Sequence, residues 1–496
     1  MAWQPFPKEE ENAYDVLIVG AGISGINAAY RLQERNPNLT YKIIEGRHEI
    51  GGTWSLFNYP GIRSDSDLYT FGFAWRPWSD NSSIASGGLI KNYVTESARV
   101  AGIDQHIEFN TWISKAAWST PDKTWTLQGT AGEKKEPRTY KSRFLFYCTG
   151  YYNYHEPLQA DIPGIKNFKG DVIHPQFWPK DLDYTDKEVV VIGSGATAIT
   201  VLPAMADKAK KVTMLQRSPS YVMSIPREDP IEKITRFLWW WAPPIQSWLL
   251  RTKWLITPLM LTSFAARYPE TLRKISHSRM AAQLPKSIPR DPHFTPSYRP
   301  WEQRMCLCPD GDFFAALRSG KCDVATGHIE NITETTIKLK SGQELNPDII
   351  VTATGLKLIF AGGMDVTVDG KPLNIPEKFL WKGIMLQDLP NAAFYIGYVD
   401  ASWTLGADST AQLLCRMINT MAKEGVTEVV PRFTAEDKET VQEQDLLRLN
   451  STYVTRSKSV IPKAGDRGQW LPRSYYFKDI LTAWYGDIKS SAEWIK

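Results

Sequence analysis

The first stretch with a clear hydrophobic pattern is Ala13 to Val19, a short apolar, β-branched run that predicts a strand. It enters Gly20-Ala21-Gly22-Ile23-Ser24-Gly25, and the residues from Ile26 to Glu34 predict a helix behind the turn. A second strand is expected at Tyr41 to Ile44. The same order returns far along the chain. Lys187 to Ile192 predicts a strand, Gly193-Ser194-Gly195-Ala196-Thr197-Ala198 a turn, and Lys211 to Leu215 the strand after it. Two further apolar runs end in small residues: Arg143 to Tyr147 before Cys148-Thr149-Gly150, and Asp348 to Val351 before Thr352-Ala353-Thr354-Gly355. Such endings suit chain crossings between two domains. The pattern predicts an α/β protein with two Rossmann-like dinucleotide-binding folds.

Each glycine in the first turn has a separate task. Gly20 permits the tight turn, Gly22 lets backbone approach a pyrophosphate, and Gly25 lets helix and strand pack closely. The helix N-terminus then presents N–H groups to the phosphates. A GxGxxG alone is weak evidence, but Glu45 follows at the end of the second strand, placed to accept hydrogen bonds from ribose hydroxyls. Gly51-Gly52-Thr53-Trp54 comes next, and its paired glycines mark either a close backbone approach or an ordinary turn. The second fold carries Ala198 in place of the third glycine. Its second strand leads to Gln216, Arg217 and Ser218 where the first has an acid. An arginine there pairs with a 2′-phosphate, and the missing carboxylate removes a repulsion, which favours NADPH over NADH. The bland alternative is a surface arginine.

A length of 496 residues implies two or three domains, and a net charge of +4 excludes a nucleic-acid footprint. Cys148, Cys306, Cys308, Cys322 and Cys415 are scattered, without CxxC or zinc-ligand spacing, so reduced, buried thiols are expected. Met1 to Asn12 is polar and resembles no signal peptide, and Ala492 to Lys496 carries no targeting signal, which makes the cytoplasm the expected compartment. Phe237 to Leu250 (FLWWWAPPIQSWLL) and Trp254 to Ala266 are apolar. Each is shorter than the roughly 20 residues that span a bilayer, Arg251 and Lys253 interrupt them, and Pro243-Pro244 breaks helical continuity.

Between the two glycine turns lies Phe168-Lys169-Gly170-Asp171-Val172-Ile173-His174-Pro175-Gln176-Phe177-Trp178-Pro179. It matches F-x-G-x-x-x-H-x-x-x-W-P, through Phe168, Gly170, His174 and Trp178, and so resembles the motif of type I Baeyer–Villiger monooxygenases. Related nitrogen- and sulfur-oxidising flavin monooxygenases carry Tyr or Phe at the tryptophan position. The resemblance runs from Tyr14 to about Tyr476 and is closest to the ethionamide-activating subgroup, through Tyr59 to Asp67, Gly193 to Ala198 and Asn391 to Leu405. From the residues alone, His174 is a loop histidine with a structural role; the resemblance ties it to an interdomain linker.

The resemblance implies FAD in the first fold, contacted by Gly20, Gly22, Gly25, Glu45, Gly52, Thr53, Trp54 and Asp65. It implies NADPH in the second, contacted by Gly193, Gly195, Ala196, Thr197, Arg217 and Ser218. It also implies a nested layout: FAD-binding domain 1–152 and 356–496, NADPH-binding domain 153–220 and 301–355, and a helical insertion at 221–300. The implied reaction inserts one atom of O2 beside a ketone carbonyl through a C4a-peroxyflavin, giving an ester or lactone, with sulfides as further substrates. Arg304 maps onto the family's active-site arginine, which holds the peroxide anionic, and Asp65 onto the carboxylate that positions it. The alternatives are an interdomain salt bridge for Arg304 and an N-cap or turn for Asp65. Arg63 is the fallback cation. Gln303 departs from the family's common lysine and leaves more of the NADPH selectivity to Arg217 and Ser218. Trp239, Trp240, Trp241, Trp248 and Trp254 fall in the insertion, as core, substrate channel or membrane-surface patch. The rivals are an N- or S-oxygenating flavin monooxygenase, a disulfide-type reductase, against which no CxxxxC follows the first turn, and an NADPH sensor.

Overall fold

The computed structural model describes residues 6, 11–303, 305–398, 400–447 and 457–496. Arg304 lies outside the described residues, as does most of the polar amino-terminal stretch read above.

Strands β1 (Ala13–Val19) and β2 (Tyr41–Ile44) fall on the expected residues, with helix α1 (Ile23–Arg35) between them. α1 starts at Ile23 rather than Ile26, so Gly25 sits in its first turn. A Cβ on Gly25 would lie 1.9 Å from the Gly20 carbonyl oxygen, and only glycine lets the helix begin so close to the strand. Helices α2 (Thr53–Leu56), α3 (Leu68–Phe71) and α4 (Gly87–Val100) precede β3 (Ile107–Glu108). β4 (Thr111–Ser119), β5 (Thr124–Ala131) and β6 (Glu136–Tyr147) then form an antiparallel meander. β6 is long enough for two jobs: its first half pairs with β5, and Lys141 to Tyr147 pair in parallel with β1.

The middle of the chain builds a second sheet. β7 (Asp171–Ile173), β8 (Glu188–Ile192), α5 (Ala196–Met205) and β9 (Lys211–Gln216) come first. β10 (Val222–Ile225) leads to helices α6 (Pro230–Leu238), α7 (Pro243–Arg267), α8 (Pro269–Ala281) and α9 (Arg290–His293). β11 (Cys306–Pro309), α10 (Asp312–Arg318) and β12 (Cys322–Thr326) follow. A small antiparallel sheet of β13 (Ile329–Ile332), β14 (Ile337–Leu339) and β15 (Glu344–Leu345) precedes β16 (Ile349–Thr352). The order β12-β9-β8-β16-β7 is parallel throughout. Chain order reverses between β8 and β16, the switch point where doubly wound sheets open a ligand crevice.

The chain then returns to the first sheet. β17 (Asp365–Val368) pairs with β4, and β18 (Lys371–Pro372) extends that edge. A hairpin of β19 (Leu380–Trp381) and β20 (Met385–Leu386) leads to β21 (Ala392–Phe394), which pairs with Leu145 to Tyr147 of β6. α11 (Trp403–Glu424) packs against α1. That contact buries an ion pair, Arg31 Nε to Asp408 Oδ1 at 2.7 Å, with Asn27 donating to the same oxygen at 3.2 Å.

The segment 221–300 is not wholly helical, because β10 leads it and pairs in parallel with β11. Pro243 and Pro244 occupy the first turn of α7, where a missing N–H costs nothing. Arg251 and Lys253 break the apolar runs, as read above, while the helix continues through them. Arg251 turns inward to the carbonyls of Tyr69 and Gly72 at 2.8 and 2.9 Å, and Lys253 pairs with buried Asp229. Trp254 also faces inward and donates to Asp229 at 2.7 Å, as a core residue would. Trp240, Trp241 and Trp248 are 75%, 66% and 64% exposed, so the core reading fails for them. Among the described residues no helix is long and apolar enough to cross a membrane. All five cysteines are buried, and none is in a disulfide.

Candidate functional site

The turn after β1 is tight and largely built of backbone. Gly20 has φ +108°, and a Cβ on it would lie 2.5 Å from the Cys148 carbonyl oxygen at the end of β6. Gly22, which caps α1 without a side-chain hydrogen bond, faces Gly52: a Cβ on Gly52 would stand 3.1 Å from the Gly22 Cα. Arg47 holds this second loop in place, donating to the Gly52 carbonyl at 3.1 Å and to Ser55 Oγ and O at 2.8 and 2.9 Å. Glu45 ties β2 to the turn, its carboxylate accepting from Ala21 N at 2.7 Å and Arg47 N at 2.9 Å. Burial raises the Glu45 pKa, and those two N–H groups oppose the rise. Burial, with Glu45 nearby, pushes the Tyr154 hydroxyl up to about 12, against a hydrogen bond to Thr53.

The turn after β8 repeats the strand geometry with an open front. Gly193 has φ +138°, and its Cβ would lie 2.2 Å from the Ala353 carbonyl oxygen at the end of β16. Ala353 therefore stands to Gly193 as Cys148 stands to Gly20. Ala198 occurs where the first turn needs Gly25, and it is fully buried without conflict. Gly195 caps α5 with no side-chain hydrogen bond, and a Cβ on it would meet nothing within 4 Å. Ser194 donates to the Ser218 carbonyl at 3.0 Å. Gln216 is buried and turned away from the turn, donating to the His293 carbonyl at 2.7 Å and Thr326 Oγ1 at 3.0 Å. Arg217 and Ser218 are exposed just beyond it.

Both turns open onto one cavity of about 300 Å³, whose wall includes Gly22, Gly52, Thr53 and Trp54 from one side and Ala196 and Thr197 from the other. A smaller space of about 80 Å³ shares Gly22, Gly52 and Tyr154 with it and reaches Glu45 and Arg47. The two spaces adjoin at the Gly22–Gly52 contact. A Cβ on Gly22 would project to 3.6 Å from Gly52 Cα, into the cradle that a pyrophosphate would fill. The residues fit such a group.

The motif between the turns divides into packing and cavity parts. Phe168 is core to the second sheet. Gly170 allows that packing, since a Cβ there would lie 2.3 Å from the Asp348 carbonyl oxygen and 2.7 Å from the Phe168 ring. Trp178 packs against the other face of that sheet. His174 lines the shared cavity, and its Nδ1 accepts from Gln176 N at 3.2 Å. Burial lowers its pKa, opposed by a hydrogen bond with the Gly355 backbone, which favours the neutral ring at pH 7.

Asp65 and Arg63 also line the cavity. The N-cap considered for Asp65 belongs to Asp67, which accepts from Thr70 N at 2.7 Å at the start of α3 and whose pKa burial raises to about 6. Arg63 forms an ion pair with Asp312 at the start of α10, which links the first sheet's loops to the second sheet. Sequence reasoning missed Arg47, whose role depends on contacts with a loop rather than on any motif. Trp403 was quoted only within the stretch Asn391 to Leu405, yet it donates to Ser24 Oγ at 2.9 Å and stacks on Tyr151 at 4.9 Å. Tyr59 was quoted only as part of a stretch, yet it bonds Thr197 across the cavity and burial holds its hydroxyl protonated.

A flavin-binding monooxygenase-like family model matches residues 78–232, and an NAD(P)-binding Rossmann-like domain matches residues 18–81. The chain is 45% identical over 477 residues to the FAD-containing monooxygenase EthA of Mycobacterium tuberculosis, covering 96% of each. It is 43% identical to the probable FAD-binding monooxygenase AlmA of Acinetobacter baylyi, covering 95% of this chain and 93% of that one. Among solved structures, an oxidized steroid monooxygenase bound to NADP matches at TM-score 0.74 with 20% identity, covering 98% and 100% of the two chains. A cyclohexanone-bound cyclohexanone monooxygenase in the Rotated conformation matches at TM-score 0.74 with 16% identity and the same coverage.

Proposed function

The chain belongs to the flavin-binding monooxygenase family, and from that premise we propose that it is a Baeyer–Villiger monooxygenase acting on apolar ketones. The observation that carries the reading is a single cavity walled by both glycine turns, with His174 of the F-x-G-x-x-x-H-x-x-x-W-P motif between them. Ketone, O2, NADPH and a proton give ester or lactone, NADP+ and water. When bound, FAD supplies the oxygen-activating redox chemistry and NADPH the reducing equivalents.

The first groove suits FAD. The Gly22–Gly52 contact would hold the pyrophosphate, and the free lone pairs of Glu45 would accept from ribose hydroxyls. The second turn suits NADPH, with the N–H groups at Ala196 and Thr197 toward the phosphates and Arg217 with Ser218 toward the 2′-phosphate. Arg304 is proposed to stabilise negative charge as oxygen is delivered to the carbonyl, with Asp65 orienting it. Phe57, Ile62, Phe71 and Leu307 give the cavity apolar walls and keep water from the reacting centre. The domain layout proposed is FAD-binding 1–152 and 356–496, NADPH-binding 153–220 and 301–355, with 221–300 inserted. Buried thiols outside any disulfide support a reducing, cytoplasmic setting.

The test is NADPH oxidation and product analysis over linear, cyclic and aryl ketones, beside sulfides and amines. Ester formed in step with NADPH is the expected result. Oxygenation of sulfides or amines alone would replace this reading with an N- or S-oxygenating one. Arg304→Ala should retain FAD and lose ester formation by about 100- to 1000-fold.

A further inference from the structure

We propose that the outer face of α6 and α7 is a docking surface for a lipid membrane carrying anionic headgroups. Phe237, Trp240, Trp241 and Trp248 present 80%, 75%, 66% and 64% of their surface, around the tip where α6 hands over to α7. Along α7, exposed Ile245, Trp248, Ile256, Leu259 and Met260 recur at helical spacing and form one stripe on the outside of a 25-residue helix. Exposed apolar residues scattered singly need no explanation, but a continuous aromatic tip and stripe marks a contact surface. The helix cannot cross a bilayer, so contact along its length is the geometry that remains.

Charge selects the occupant. Residues 221–300 hold twelve Lys and Arg against five Asp and Glu, a local +7 in a chain whose total is +4. The rest of the protein is therefore net acidic. Arg267, Lys274, Arg279 and Lys286 are exposed within this basic segment. An aromatic, apolar face on a basic element is the pattern of helices that lie in the interface of anionic membranes. A second copy of the chain would bring the same net-basic segment, which disfavours a symmetric dimer through this face.

The inner side of the same element connects to the site. Trp254 stacks on Tyr69 of α3 at 6.5 Å, and Phe71 of α3 lines the main cavity. Docking would thus set the bilayer one helix layer from the cavity wall, a route suited to apolar molecules that partition into lipid. The inference is independent of the oxygenation chemistry, because its test reads binding rather than turnover.

The experiment is flotation of the FAD-bound protein with phosphatidylcholine vesicles, with and without phosphatidylglycerol. Binding to the anionic vesicles is expected, at least about tenfold weaker on neutral ones and falling as salt rises. Trp240→Ser, Trp241→Ser and Trp248→Ser should each weaken binding by about tenfold, since each removes a large apolar group from the lipid contact. Because these side chains are exposed, the variants should keep bound FAD and NADPH oxidation, which checks that they fold. Absence of vesicle binding, equal binding to both vesicle types, or binding unchanged in the triple variant would each overturn the proposal. A dimer that the triple variant dissolves, without vesicle binding in the parent, would reassign the face to a subunit interface.

Discussion

The two glycine turns share a strand geometry and differ in what stands in front of them. Gly20 and Gly193 both adopt left-handed φ, and at both the end of a neighbouring strand, at Cys148 and at Ala353, leaves no room for a Cβ. Beyond that point they diverge. The first turn is roofed by Gly52, held by Arg47, and anchored by Glu45. The second faces open space at Gly195, and its strand-end Gln216 is committed to the protein interior. A roofed turn suits a cofactor that stays, and an open one suits a cosubstrate that exchanges each cycle. That contrast is what a flavoenzyme consuming NADPH needs.

The sharpest way to break the comparison is to add one methyl group to each turn. Both Gly22 and Gly195 have negative φ, and in neither case would a Cβ clash with protein. Gly22→Ala should therefore fold yet lose FAD affinity by about 100-fold or more, since its methyl occupies the pyrophosphate's path under a fixed roof. Gly195→Ala should stay yellow and raise KM for NADPH by about tenfold, because the open side lets the cosubstrate shift. Flavin content after desalting and KM values distinguish these outcomes, and equal flavin loss in both would end the contrast.

A smaller effect tests the charge at the second turn. Arg217→Ala should raise KM for NADPH about tenfold and leave that for NADH nearly unchanged, as expected for a lost contact to the 2′-phosphate. Equal changes would place Arg217 outside the nucleotide's reach.

The strands and glycines of both turns were legible in the sequence, but the roof that separates them was not, and the unreadable part has a physical reason. β1 and β2 fell on the expected residues because each is mainly apolar, broken only by Asp15 and Lys42, and ends at a glycine or an acid. The start of α1 was misplaced because Gly25 reads locally as the end of a turn, while its packing on Gly20 puts it inside the helix. Contacts between distant segments were silent: the Gly22–Gly52 roof, the Arg63–Asp312 ion pair and the pairing of β10 with β11 leave no periodic trace. The tryptophans of the insertion show the same limit. Composition gathered them, but only the fold sends Trp254 inward and Trp240, Trp241 and Trp248 outward.

The smallest effect concerns the histidine between the turns. Burial holds the His174 pKa below the ordinary value in the folded state. Its contribution to stability is thus complete above about pH 6.5 and is lost as pH falls through the lowered folded value. His174→Gln cannot gain that proton, so its Tm should rise relative to the parent on acidification. A Tm difference independent of pH would contradict the buried, neutral ring.

The central claim is that one turn retains FAD while the other admits NADPH to the same cavity. It is tested most directly by desalting the purified protein and adding NADPH or NADH to it without oxygen. The protein should emerge yellow, be bleached rapidly by NADPH and be bleached much more slowly by NADH. A protein that emerges colourless and cannot be reconstituted with FAD, or one bleached equally fast by both nucleotides, would contradict it.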